Sequence, residues 1–121
     1  MKFNWTTLNV QDMEGSLAFY REIVGLPLLR RSPAGPNREL AFLGDGETKI
    51  ELMCDRAAPA VQPSPDIAIG FEVPDLAAMQ QFCQERGIAI HSGPFEPNPH
   101  IRFFFVLDPD GWRVQFVEQR F

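Results

Sequence analysis

The chain is one unit written twice, and this duplication restricts its possible folds more than any other feature. Val10-Gln11-Asp12 opens a segment that closes at Gly25, and Val73-Pro74-Asp75 opens another that closes at Gly87, so the offset is 63 residues at the start and 62 at the end. Apolar residues recur at helical spacing inside both segments: Met13, Leu17, Tyr20 and Val24 in the first, Leu76, Met79, Phe82 and Cys83 in the second. Each segment therefore reads as an amphipathic helix. Asp12 and Asp75 suit the N-cap, where a carboxylate accepts from the free amides of the first turn, and Gly25 and Gly87 suit the left-handed position after the last turn.

The surroundings of the two helices repeat as well. Trp5 to Val10 and Ile67 to Val73 precede them as β-branched and aromatic runs, and Leu26 to Arg31 and Ile88 to His91 follow them as further strands. Each copy then closes with a hairpin. Leu40 to Leu43 turns through Gly44-Asp45-Gly46 into Thr48 to Met53, and Phe103 to Leu107 turns through Asp108-Pro109-Asp110-Gly111 into Trp112 to Val117. The order is βαβββ twice, an α+β arrangement with repeat 1 at about 1–54, a Pro- and Ala-rich linker at about 55–65, and repeat 2 at about 66–121. Neither half alone buries enough surface for an adequate core, so the expectation is a single domain over 1–121.

Charge narrows the partners. A formal net charge of −5 lacks the basic face that nucleic acid or an anionic membrane demands, and neutral or cationic ligands remain open. No apolar run is long enough to span a bilayer, and the first residues, Met1 to Thr7, lack the apolar core of a secretory signal, so the expected location is the cytoplasm. The two cysteines, Cys54 and Cys83, lack CxxC spacing and read as reduced, structural thiols.

Two stretches carry a family resemblance. Leu8-Asn9-Val10-Gln11-Asp12-Met13 with Ser16-Leu17-Ala18-Phe19-Tyr20 and Val24-Gly25-Leu26 resembles the opening signature of the vicinal-oxygen-chelate superfamily, and Phe105-Val106-Leu107-Asp108-Pro109-Asp110-Gly111 resembles its closing one. That superfamily includes glyoxalase I, bleomycin-resistance proteins and extradiol dioxygenases. The resemblance implies two βαβββ modules forming a single cup-shaped mixed sheet, commonly in a homodimer. In its metal-dependent members each repeat supplies one ligand from its first strand and one from its last, and those places fall here on Trp5 and Glu51, then on Ala68 and Gln115. An indole nitrogen only donates and alanine has no ligating atom, so no well-formed metal centre is expected. A divalent metal is the alternative. His91 and His100 stand outside the family's ligand positions; His100 is the more interesting, at the entry to a strand.

Alternation along a strand assigns the open face. If Trp5 and Glu51 share one side, then Thr7, Asn9, Lys49 and Met53 join them, while Leu8, Val10, Ile50 and Leu52 turn to the helices. The same parity groups Ala68, Gly70 and Glu72 with Arg113 and Gln115, and Phe103-Phe104-Phe105 must present rings to both sides. The candidate ligand-binding set is therefore Trp5, Thr7, Glu51, Met53, Phe103, Phe105, Arg113, Gln115 and His100. One expectation is a metal-free protein that binds a planar or cationic small molecule. The alternative is a lactoylglutathione lyase-like lyase or isomerase with Glu51 as general base and a divalent metal as electrophile. A module that only contacts other proteins is a third.

Overall fold

A computed structural model describes every residue, Met1–Phe121. The chain forms two compact units, Met1–Gln62 and Pro63–Phe121, with the boundary inside the Pro-rich linker. The first unit contains β1 (Trp5–Asn9), α1 (Met13–Ala18) continued by a π turn (Phe19–Ile23), β2 (Leu28–Pro33), β3 (Arg38–Leu43) and β4 (Lys49–Asp55). The second contains β5 (Ala68–Glu72), α2 (Leu76–Glu85), β6 (Ser92–Asn98), β7 (Ile101–Leu107) and β8 (Arg113–Gln119). The βαβββ order occurs in both.

The eight strands are hydrogen-bonded as two four-stranded sheets, one per unit, rather than through one continuous ladder; their orders are β1-β4-β3-β2 and β5-β8-β7-β6. In each sheet the first strand runs parallel to the last and the other pairs are antiparallel. The parallel pair is possible because the helix carries the chain back across the sheet before the meander begins. Equivalent strands thus occupy equivalent places, and the register pairs Thr7 with Glu51 in one unit and Gly70 with Gln115 in the other.

Each helix starts where the sequence predicts. Asp12 accepts from the amides of Glu14 and Gly15, both at 3.3 Å, and Asp75 accepts from Ala78 at 3.0 Å. Glu118 of β8 adds a second cap to α2, accepting from the Leu76 amide at 2.7 Å. That bond and the Arg120 side chain lower the Glu118 carboxyl below its ordinary value. Gly25 and Gly87 have φ of 86° and 73°, a region that penalises a Cβ. Unlike the continuous α-helix the periodicity predicts, the first helix closes with i→i+5 bonding, the Val24 amide donating to the Phe19 carbonyl at 3.2 Å.

The helix-facing side of each sheet is the core. In the first unit Leu8, Ala41, Leu43, Ile50 and Leu52 are buried beneath Met13, Leu17 and Tyr20. In the second, Phe104, Val106, Val114 and Phe116 lie beneath Leu76 and Cys83. Full burial of such side chains stabilises by roughly 1.5–3 kcal/mol each before the entropy of ordering them. Burial also raises the Cys83 thiol above its usual range, as suits an inert packing group. The β7–β8 turn is organised by Asp108, whose Oδ1 accepts from the amides of Asp110, Gly111 and Trp112 at 2.9, 3.0 and 2.8 Å.

The strand expected at Ile88 to His91 lies later in the chain. His91 precedes β6, and its amide donates to the Phe105 carbonyl at 2.7 Å. The prolines of Ser92-Gly93-Pro94-Phe95-Glu96-Pro97-Asn98 argue against a strand in the middle of a sheet. β6 is an edge strand with two irregularities in its register, where prolines are tolerated.

Candidate functional site

The open face of the first sheet carries the predicted group. Register places Trp5 beside Lys49, Thr7 beside Glu51 and Asn9 beside Met53 across the parallel pair. The Thr7 hydroxyl donates to Glu51 Oε1 at 2.6 Å, and Glu51 is buried, at 8 % exposure, an uncommon position for a carboxylate. Its second oxygen carries no hydrogen bond from a protein side chain. Trp5 remains 43 % exposed.

Three further residues complete this face, and none was among the sequence candidates for ligand contact. Phe42 of β3 pairs with Glu51 in register and meets the Trp5 ring edge-on, with centroids 5.1 Å apart. Arg30 of β2 pairs with Phe42 and holds its guanidinium carbon 4.8 Å from that ring's centroid. Together with Lys49 and Leu29 they line a cavity of ≈ 240 Å³ against Trp5. Neither Arg30 nor Lys49 forms an ion pair, whereas neighbouring Arg31, on the opposite face, is bridged to Glu14 at 2.6 Å and Glu39 at 3.0 Å. Those carboxylates, Glu39 foremost, raise the Arg31 guanidinium further above its ordinary value.

The open face of the second sheet is the counterpart. Ala68 lies beside Arg113 and Gly70 beside Gln115, while Phe105 pairs with Gln115 across the antiparallel ladder. A Cβ on Gly70 would stand 3.2 Å from Gln115 Oε1, so the glycine makes room for the amide. Arg113 lies 4.3 Å above the Phe105 ring and donates to the Pro65 carbonyl at 3.2 Å. Phe103 and Phe105 face this side as a T-shaped pair 5.7 Å apart, joined by Phe95 of β6, while Phe104 is fully buried on the other.

The repeat holds the signal for the missed residues. Phe42 and Phe105 stand 63 positions apart on equivalent strands, opposite the equivalent pair Glu51 and Gln115. Lys49 and Arg113 likewise begin β4 and β8. Each unit therefore presents an aromatic ring, a cation and a hydrogen-bonding side chain on the same three-strand patch. His100 is not part of it. It lies in the turn before β7, five residues from Phe105, where its Nδ1 is 3.1 Å from the Arg120 carbonyl oxygen and its ring stacks on Phe121. His91 is likewise exposed, outside the sheet.

The four repeat-related positions can be tested as metal ligands from their donor atoms. Trp5 and Ala68 supply none, one oxygen of Glu51 is engaged by Thr7, and Gln115 offers a neutral amide oxygen. Within either unit these residues do not fit a divalent ion, and the chain contains no group of three or more His, Cys, Asp or Glu side chains arranged to hold one.

Residues 2–116 match the Glyoxalase/Bleomycin resistance protein/Dioxygenase superfamily. The chain belongs to that superfamily. It is 32% identical to the lactoylglutathione lyase of Haemophilus influenzae over 130 residues, covering 99% of this chain and 94% of the relative. Among solved structures, a glyoxalase family protein from Bacillus cereus superposes with a TM-score of 0.85 at 16% identity, covering 100% of this chain and 95% of the other. An antibiotic binding protein from a Streptomyces species does so with a TM-score of 0.75 at 25% identity, covering 98% and 96%. No helix is long and apolar enough to cross a membrane.

Proposed function

We propose that this chain is a small-molecule-binding member of the superfamily that holds its ligand without a resident divalent metal. The observation that carries this reading is the donor set at the four positions where the family resemblance locates metal ligands: two of them, Trp5 and Ala68, have no ligating atom. What replaces the metal is recognition chemistry. On the first sheet the exposed Trp5 ring provides flat apolar surface beside the acceptor Glu51, and on the second the half-buried Phe105 ring does so beside Gln115, whose amide both accepts and donates. The likeness to an antibiotic binding protein supports the same reading.

The second reading, lactoylglutathione lyase activity with Glu51 as base, is favoured by the 32% identity across nearly the full length of the Haemophilus influenzae enzyme. Abstracting a proton beside a carbonyl leaves an enolate oxygen that needs an electrophile, and without a metal the open face that carries Glu51 offers only the cations Arg30 and Lys49 for that role. One experiment separates the two. Protein purified from medium supplemented with Ni²⁺ and Zn²⁺ is analysed for bound metal by mass spectrometry and assayed for lactoylglutathione lyase activity. The binding reading expects well under one metal ion per chain and no metal-stimulated turnover. A stoichiometric ion with turnover that Glu51→Gln abolishes would establish the lyase instead.

A further inference from the structure

We propose that the cleft formed by Trp5, Leu29, Arg30, Phe42 and Lys49 is a subsite for a planar aromatic monoanion, a ring or fused ring pair bearing a carboxylate or an equivalent oxyanion; this deepens the binding reading above and rests on it. The shape comes first. A cavity of ≈ 240 Å³ is below the ~300–1,000 Å³ of pockets that take drug-sized molecules and suits a compound of one or two rings. Its apolar walls are the Trp5 and Phe42 rings, set at 78° to one another, and the exposed Leu29 side chain. A flat ring entering the angle between the two aromatics stacks on one and meets the edge of the other, both favourable geometries for π systems.

Charge sets the class of ligand. The protein as a whole is acidic, with a net charge of −5, yet both charged residues lining this cleft are cations. Neither has a carboxylate partner, so both keep their full charge available for a ligand. Arg30 is held over the Phe42 ring at 4.8 Å, which restrains the guanidinium while leaving its in-plane N–H groups free to grip a carboxylate with two parallel bonds. Lys49 approaches from the neighbouring strand as a second point charge beside Trp5. Glu51 is the closest carboxylate along β4, two positions further on and held by Thr7, so it borders the cleft on the side away from Trp5. It repels an anion placed beside it, and this fixes the ligand's direction, oxyanion toward Arg30 and Lys49.

The test uses the intact protein and three ligands of one shape: 2-naphthoate, 2-naphthamide and 2-naphthylmethylammonium. The chain has two tryptophans, so two indole N–H signals report in nitrogen-15 spectra, and Trp5→Phe assigns them. The proposal expects 2-naphthoate to shift the Trp5 signal saturably, at least tenfold tighter than either isostere, with Trp112 unmoved. Arg30→Met with Lys49→Met should weaken 2-naphthoate by tenfold or more and leave 2-naphthamide unchanged. Equal affinities, a preference for the ammonium, or full 2-naphthoate affinity in the double variant would each overturn the anion assignment while leaving a planar-ligand site standing. Silence of Trp5 toward all three overturns the subsite itself. The broader binding reading fails on a different readout, the stoichiometric metal described above.

Discussion

The Thr7 hydroxyl donates a 2.6 Å hydrogen bond to the buried Glu51 carboxylate across the parallel β1–β4 pair. That bond fixes the orientation of the carboxylate and engages one of its two oxygens. Removing the donor while keeping the branched shape, in Thr7→Val, leaves a buried charged oxygen without its partner. The expected cost is about 1.5 kcal/mol, the low end for hydrogen bonds to charged groups because Thr7 is accessible to water. Thr7→Ser should retain most of the stability. Urea unfolding of the three proteins checks the order.

Chelation provides a second test. On the binding reading there is no resident ion to lose, and exhaustive treatment with EDTA should change the melting temperature by less than about 1 °C, well inside the several degrees that a loss of 1 kcal/mol produces in a protein of this size. A metal that bound the folded state tightly would instead stabilise it by mass action, and its removal would lower the transition markedly. Differential scanning calorimetry before and after dialysis reads the difference.

Acid should expose the role of Glu118. Its carboxyl is lowered, first by the Leu76 amide and then by Arg120, so the folded state favours the ionised form more than the unfolded chain does. Such a group contributes stability that is fully present above the unfolded carboxyl value of ~4.3 and is lost as pH falls through the lower folded value. Wild type should therefore be more stable than Glu118→Gln at pH ~7, and the gap should narrow progressively as pH falls below ~4.3. A gap that persists unchanged in acid would show that the loss comes from packing rather than from charge.

The aromatic triplet of β7 separates core from open face. Phe104 is fully buried, and Phe104→Ala is expected to cost about 3–5 kcal/mol through the cavity it leaves. Phe103 and Phe105 flank it on the open face and remain partly exposed. Their alanine variants should lose less than half as much stability and should instead weaken binding of planar compounds. Chemical denaturation with parallel ligand titration distinguishes the two effects.

Much of this architecture was legible in the chain because duplication and alternation are both periodic signals. The caps at Asp12 and Asp75, the parity of β1 and β4, and the division of the Phe103–Phe105 run all follow from spacing alone. What escaped depends on neighbours distant in sequence. β6 was hidden by prolines that only its place at a sheet edge makes tolerable. The cleft at Trp5 needs β2 and β3 folded alongside β1, so Arg30 and Phe42 carry no local mark of their role, although the repeat relates Phe42 to Phe105. His100 looked like a pocket residue because it opens a strand. Its partners, Arg120 and Phe121, come from the chain's last residues and hold it at the far end of that strand.

The π turn at Phe19–Ile23 explains why the two copies are 63 residues apart at the caps and 62 apart at the closing glycines. Asp12 to Gly25 is one residue longer than Asp75 to Gly87, and a single inserted residue in a helix is accommodated by one widened turn. The surplus is absorbed before β2 begins, so the strands that follow keep their pairing and neither open face is turned inside out. The first module's helix thus carries one residue more than its twin's, and the widened turn lets the two copies differ in length while each keeps its own sheet's pairing and open face.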